Sequence, residues 1–364
     1  MRLAIVAPLV SPIREPQVGG SQAFLANLAR GLVDRGHDVH LYAASGSRVA
    51  GVEVLDTGVD HRALEATLYR TDGPGADGGA AAAAAFAAVY GAIAERDYDV
   101  VHNHAFDAPA ITLVRGTEAP VVHTLHLPPD PGLTAALREA SCDETPPMIA
   151  CVSESQAAAW RAYVPVDALL APYVPTRSIP FAASATPGAL FAGRLSAEKG
   201  AAEAIDIARA AGLPIEVFGD PYDARYTREQ IDPRTRLPGV SVHRAVARTE
   251  LWEAMAHASV VLCPARWEEP FGMAAAEAQA CGTPVVAFAR GALCEVILDG
   301  VTGLLVAPED IAGAAAAVLE SASLSRRSCR EHAVRELDLE RTLDAHERVY
   351  ERLASGAVRS PLRG

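Results

Sequence analysis

The sequence predicts an α/β protein of two domains, each built around a parallel sheet. Three observations carry that prediction. The chain has 364 residues, half of them apolar, which is more than one core of ordinary size accommodates. Short apolar runs of strand length alternate with stretches of helical spacing along most of the chain, the order that produces parallel sheets. Loops rich in Gly, His, Arg and Glu follow several of those runs, and ligands in such folds sit beyond the carboxyl ends of the strands.

Composition narrows the function. The net charge is −13 without a basic block, which argues against nucleic acid as the main partner. No window approaches the length of a membrane span, so stable membrane insertion is not expected. Met1–Pro8 carries one basic residue and a short apolar run, and it reads as a first strand rather than a signal peptide. Six cysteines without CxxC spacing fit a reduced, cytoplasmic setting better than a disulfide scaffold. Oligomeric state is left at monomer or homodimer. Of the 32 basic residues only Lys199 is a lysine. A lone lysine among arginines has two readings, codon bias that replaces lysine wherever arginine serves, or a place where a compact ammonium is needed rather than a planar fork.

In the first half, Leu3–Ala7 is a strand and Pro8–Gly20 a Pro/Gly loop. Gln22–Arg35 is a helix with Phe24, Leu25, Leu28, Leu32 and Val33 on its apolar face; Gly36 stops it, and His37–Ala43 is the next strand. Gly19 and Gly20 precede a helix, where backbone N–H groups can approach a phosphate, although a pair of turn glycines is the plainer alternative. Glu53–Gly91 is harder to read, with Gly73–Ala85 expected as a mobile loop running into a helix. Tyr98–Asn103 and Pro120–Thr124 are strands tipped by His102, His104, His123 and His126. His102 and His104 share one strand face, yet no Cys or carboxylate completes a ligand set, so no metal is expected. Ile149–Ser153 is a further strand, followed by a short helix from Ser153.

In the second half, Pro187–Gly193 is a strand. Ser196 is expected to cap a helix running to about Ala211, which places Lys199 in its first turn against the helix dipole. Pro214–Phe218, Val240–His243 and Ser259–Cys263 are strands, and a helix opens at Thr249 or Glu250. Pro264–Ala287 then reads loop, helix, Cys-Gly-Thr-Pro stop and strand, with Glu269 in the loop and Glu277 on the helix. The chain is helical from Glu309, Arg335–Leu353 reads as one long helix, and a disordered tail is expected from Val358.

Several segments, in order, resemble the retaining glycosyltransferases of the GT-B fold, family 4 (group 1) in particular. They are VGGSQAFLANLARGLVDRGHDVHLYA, DVVHNHAF, PVVHTLH, FAGRLSAEKG, PARWEEPFGMAAAEAQACGTPVVA and GALCEVILDGVTGLLV. Ala292 and Cys294 replace a glycine and a proline of the last pattern. Ala171–Pro175 stands where the family usually has Pro-Asn-Gly-Val-Asp. The resemblance implies two Rossmann-like domains facing across a cleft. Residues 1–170 would form the acceptor domain and 171–340 the donor domain, with 341–364 a helix crossing back and a tail. It implies transfer of a sugar, with retention, from a nucleotide diphosphate to an acceptor hydroxyl, by an enzyme of the hexosyltransferase kind.

The roles follow from the resemblance. Arg194 and Lys199 would neutralise the donor phosphates, aided by the Gly19 and Gly20 amides and by the helix start at Pro270, Phe271, Gly272 and Met273. Glu277 would bind the ribose and Glu269 the sugar hydroxyls, main chain around Val246 would hold the base, and His126 would lie beside the sugar. His104 and Asp107 are the acceptor candidates. The nucleotide sugar, most often a UDP-sugar in this family, is a co-substrate; no cofactor and no metal is required. The acceptor is expected to be a small soluble hydroxyl compound, a natural product or sugar, read by loops such as Asp60–Gly79. Paired carboxylates also occur in glycoside hydrolases, but here the adjoining residues favour phosphate. A GT-B epimerase, a phosphorylase or a non-catalytic nucleotide-sugar binder are the remaining alternatives.

Overall fold

The computed structural model describes residues 1–17, 19–60, 64 and 78–356. Most of the expected Asp60–Gly79 loop, the first part of Gly73–Ala85 and the tail from Val358 lie outside the described residues. The chain divides into two compact units. One comprises Met1–Arg14, Ser21–Ala171 and Thr342–Gly364; the other comprises Glu15–Gly20 and Pro172–Arg341.

The first unit contains β1 (Arg2–Val6), α1 (Gly20–Asp34, from Ser21), β2 (Asp38–Ala43), β3 (Glu53–Asp56), α2 (Gly78–Ala94) and β4 (Val100–Asn103). It continues with α3 (Ala108–Thr112), β5 (Val121–Leu125), α4 (Pro131–Ala140), β6 (Met148–Cys151), α5 (Glu154–Trp160) and β7 (Ala168–Leu169). Its seven strands are parallel, in the order β3-β2-β1-β4-β5-β6-β7. Strands covered on both faces carry unbroken apolar runs, such as Leu3–Val6, rather than alternation. Ser153 caps α5, its hydroxyl accepting from the Gln156 amide.

The second unit contains β8 (Thr186–Ala192), α6 (Ala201–Ala210), β9 (Ile215–Phe218), α7 (Ala224–Tyr226), β10 (Val240–His243) and α8 (Arg248–His257). After them come β11 (Ala258–Cys263), α9 (Met273–Ala280), β12 (Val285–Phe288), α10 (Leu293–Val296), β13 (Gly303–Val306), α11 (Ile311–Ser321) and α12 (Arg326–Glu336). Its six strands are also parallel, in the order β10-β9-β8-β11-β12-β13. Phe191, Ile205, Val217, Leu262 and Phe288 lie in its core. Each such side chain contributes about 1.5–3 kcal/mol relative to exposure. A last helix, α13 (Leu339–Ala354), groups with the first unit from Thr342 onward.

Three local expectations need correction. Ser196 does not cap α6: its hydroxyl donates to Glu198, and residues 197–199 form a separate 3-10 turn. Gly200 (φ +76°) then breaks the path, and a Cβ there would fall 2.0 Å from the Pro264 carbonyl oxygen, so glycine is required. Lys199 therefore precedes α6 rather than opposing its dipole. The Arg-rich run Arg335–Leu353 is two helices, because Leu337 and Asp338 leave the helical path and residues on either side of Asp338 pair with Val174. Glu309 has φ +68°, and α11 starts only at Ile311, capped by Asp310. Among the described residues, no helix is long and apolar enough to cross a membrane.

Candidate functional site

Sheet topology selects where to look. In the second unit the strand order reverses between β8 and β11, and the crevice at such a switch point is the favoured ligand position. The loop after β8 carries Arg194 and Lys199; the loop after β11 carries Trp267 to Gly272. These two loops meet. Lys199 Nζ donates to both oxygens of Glu269, at 3.0 and 2.7 Å. Trp267 Nε1 donates to the same carboxylate at 2.8 Å, and the Lys199 ammonium lies 4.7 Å from the Trp267 ring centre. Both charged side chains are largely but not fully enclosed, at 23% and 13% exposed. The backbone of Glu269 is itself anchored, because the Ala292 amide donates to its carbonyl at 2.8 Å. Cys263, at the end of β11, is half-buried, and desolvation first, with Glu269 adding, pushes its thiol up to about 12.

Arg194 occupies a different setting from Lys199. Its guanidinium donates to Glu198 at 3.1 Å and lies 4.6 Å from the Tyr222 ring centre, while its Nε is buried without a partner. Ser196 holds the same Glu198 oxygen at 2.7 Å. The two cations expected to act together are thus each paired with their own glutamate.

Glu277 lies in the second turn of α9, and Arg248, the first residue of α8, donates to it through a side-chain hydrogen bond. Both are about nine-tenths buried, and Arg248 stacks over Trp252 at 4.7 Å. Gly272 (φ +98°) turns the chain into α9 in a conformation only glycine adopts readily. It leaves the first amides of that helix without intrahelical partners. Phe271 is buried against Tyr173, Pro270 is buried, and Met273 is half-buried. Gly20 lies against Met273, a Cβ there coming 3.0 Å from the Met273 Cγ; Gly19 stands in the bend before it. Val246 is half-buried in the loop between β10 and α8.

The remaining candidates belong to the first unit, where the strand order reverses between β1 and β4. His104 and His126 follow β4 and β5, and His104 Nδ1 and His126 Nε2 are 3.0 Å apart. His102 stacks on His104 with ring centres 3.9 Å apart, and it hydrogen-bonds Tyr350 and Thr124 at 2.7 Å each. His346 completes the group from α13. Burial lowers all of their pKa values: His102 and His104 fall well below the ordinary value, and His126 and His346 fall to about 4. His123 faces Asn103 instead and falls to about 3. Asp107 caps α3 without a side-chain bond, and desolvation raises its carboxyl to about 6. Among the described residues, no group of three or more His, Cys, Asp or Glu is arranged to hold a metal ion.

Sequence reading missed Trp267, Tyr222, Arg248, His346 and Tyr350. Three of these carried a signal. Arg248 is a cation at a helix start, against the dipole, and His346 and Tyr350 are polar residues four apart on an otherwise apolar helix face.

Comparison with known proteins identifies the family. The description "Glycosyltransferase Family 4" matches residues 18–171, and "Glycosyl transferases group 1" matches residues 178–335. A D-inositol 3-phosphate glycosyltransferase of Xylanimonas cellulosilytica is 30% identical over 370 residues, covering 85% of each chain. Among solved structures, the sucrose-phosphate synthase of Thermosynechococcus elongatus superposes with a TM-score of 0.80 at 18% identity, over 98% of this chain and 100% of that one. The Anabaena protein Alr3699/HepE, solved with UDP-glucose, gives 0.72 at 19% identity, over 98% and 100%. The fold is GT-B, and the chain belongs to the family 4, group 1 glycosyltransferases, enzymes that take their sugar from a nucleotide-sugar donor.

Proposed function

We propose that this glycosyltransferase moves a hexose from a UDP-sugar to a hydroxyl of a small soluble acceptor, with retention at the anomeric carbon and without a metal. The observation that carries the reading is the only lysine of the chain, Lys199, standing at the β8/β11 switch point against Glu269. Breaking the bond between sugar and diphosphate leaves negative charge on the diphosphate, so the catalytic task is mainly electrostatic. Lys199 supplies a compact cation for it, and Arg194 a second one whose Nε is unpaired. The amides opening α9 at Gly272 and Met273, with those of Gly19 and Gly20, add fixed dipoles. These groups make a metal unnecessary.

Glu269 holds the sugar hydroxyls and, before the donor arrives, keeps Lys199 in position. The incoming diphosphate then shares that cation. Glu277 accepts from the ribose hydroxyls, with Arg248 fixing its carboxylate. Main chain around Val246 holds the base, with Pro270 and Phe271 shaping the donor loop. The resemblance assigns His126 to the sugar and Asp107 to the acceptor; His104, also an acceptor candidate, is fully buried between His102 and His126 and has no surface to offer one. The UDP-glucose complex of the Anabaena protein supports a uridine donor. The curated relative, named for D-inositol 3-phosphate, supports a small polyol-like acceptor.

A thermal-shift panel of UDP-, GDP- and ADP-sugars tests the donor, since ligand binding to the folded state raises apparent stability by mass action. UDP-sugars are expected to give the largest shift. The anomeric configuration of the product, read by NMR, tests retention; an inverted product rejects the assignment. Donor hydrolysis or epimerisation that no acceptor redirects into transfer would favour the alternative chemistries.

A further inference from the structure

We propose that Trp267 is a positioning residue of the donor site: its indole N–H keeps Glu269 in place, while its ring face lets the Lys199 ammonium turn to the donor diphosphate. The inference rests on the reading that Lys199 meets the diphosphate and Glu269 the sugar. All three residues stand in the loops after β8 and β11, within the second unit.

Backbone contacts set the three side chains next to one another. The Arg266 amide donates to the Glu198 carbonyl at 2.9 Å, which brings Trp267 beside Lys199. Gly200 against the Pro264 carbonyl is a second point where the two loops touch. On the other side, the Ala292 amide donates to the Glu269 carbonyl at 2.8 Å and the Gly291 amide to the Glu268 carboxylate at 2.7 Å. Glu268 is thereby turned toward Gly291, while its neighbours Trp267 and Glu269 both meet Lys199.

One oxygen of Glu269 serves two donors. It accepts from Lys199 at 2.7 Å and from Trp267 Nε1 at 2.8 Å, while the other oxygen accepts from Lys199 at 3.0 Å. An ammonium on a flexible stem redirects its donors easily, so a diphosphate that draws on Lys199 loosens its hold on the carboxylate. The indole N–H is a neutral donor on the same loop, and it stays with Glu269. The ring face, 4.7 Å from the ammonium, attracts the cation without a directed hydrogen bond. Lys199 can therefore turn on that face without leaving it. The chain has three tryptophans, and a second one, Trp252, backs Arg248 at the same 4.7 Å where that arginine meets Glu277. There the cation, a planar fork, is itself the fixed partner. At Glu269 the cation is shared with the diphosphate, and the Trp267 N–H is the fixed partner.

Trp267→Phe keeps the ring face and removes the N–H, whereas Trp267→Leu removes both. Calorimetric titration of the full-length protein with UDP and with UDP-glucose separates the two contributions. For Trp267→Phe, affinity for UDP-glucose should fall about fivefold with UDP within about twofold of wild type, the scale of one hydrogen bond that orients a carboxylate. Trp267→Leu should also weaken UDP, about threefold, through loss of the ring face. Equal losses for the two ligands in Trp267→Phe, or no loss for UDP-glucose, would overturn the proposal. Glu269→Ala supplies the second arm. If Trp267 acts through Glu269, adding Trp267→Phe to that variant should weaken UDP-glucose no further, because both changes remove one interaction. Losses that add in full would mean a merely structural tryptophan and sink only the role of Trp267. Wild-type UDP-glucose affinity in Glu269→Ala would remove Glu269 from the sugar, and the role of Trp267 with it.

Discussion

The two units manage polar groups in their interiors in opposite ways. Around β8 and β11 the charges come as ion pairs: Lys199 with Glu269, Arg248 with Glu277 and Arg194 with Glu198. Around β4 and β5 the buried polar groups are imidazoles kept neutral by desolvation, bonded to each other or to hydroxyls. The contrast shows what each region supplies. Paired ions can hand a cation to an incoming diphosphate at little reorganisation cost. Neutral rings can donate and accept hydrogen bonds but contribute no charge.

The sharpest way to break that contrast is acid. His102, His104, His123, His126 and His346 all have folded-state pKa values below the ordinary histidine value. The unfolded chain therefore binds protons first as pH falls. The associated stability is complete above about pH 6.5 and is lost as pH drops from there toward 4, each group costing about 1.4 kcal/mol per pH unit. Asp107, raised to about 6, opposes them over part of this window but is a single group. Urea midpoints for the first unit should fall steeply between pH 7 and 5. A flat profile would mean that the imidazoles are not desolvated.

Next in size is Lys199→Ala. It removes the cation from the proposed phosphate position, and turnover should drop about 10²–10³-fold, the scale for losing one preorganised electrostatic group. Arg194→Ala should cost less, because Glu198 and Tyr222 hold it in its own setting. Wild-type turnover in Lys199→Ala would remove the phosphate assignment. Glu277→Ala follows: the loss of charge-assisted hydrogen bonds to ribose predicts roughly a ten- to hundredfold weaker affinity for free UDP by calorimetry. Unchanged affinity would mean that Glu277 serves Arg248 alone.

How much of this was legible in the sequence depended on range. Apolar runs and helix stops gave most strands of both sheets, because parallel strands buried on both faces write themselves as continuous hydrophobic text. The lone lysine and the two glutamates pointed to the switch point of the second unit. What escaped were pairings between distant segments. Nothing near Lys199 announces a bidentate contact with Glu269, seventy positions away. Nothing near Glu277 announces Arg248. His346 reaches the strand-tip histidines only because α13 returns to the first unit. The helix expected from Ser196 failed for a similar reason, since the approach of Pro264 to Gly200 is invisible to local propensity.

Ser153 and Ser196 provide the smallest test and the most exact one. Both are serines followed by a helix-forming stretch, and sequence rules assign both as N-caps. In the structure only Ser153 accepts from the amide three residues on. The Ser196 hydroxyl instead donates to Glu198, which holds Arg194. Ser153→Ala should therefore lower stability by about 1 kcal/mol, the usual value of a cap, without changing UDP affinity. Ser196→Ala removes no cap. Its effect should appear as a weaker hold on Arg194, a modest change in affinity for diphosphate-bearing ligands with little change in the unfolding midpoint. The opposite pattern would mean that Ser196 works on the helix after all, and that Glu198 orients Arg194 without it.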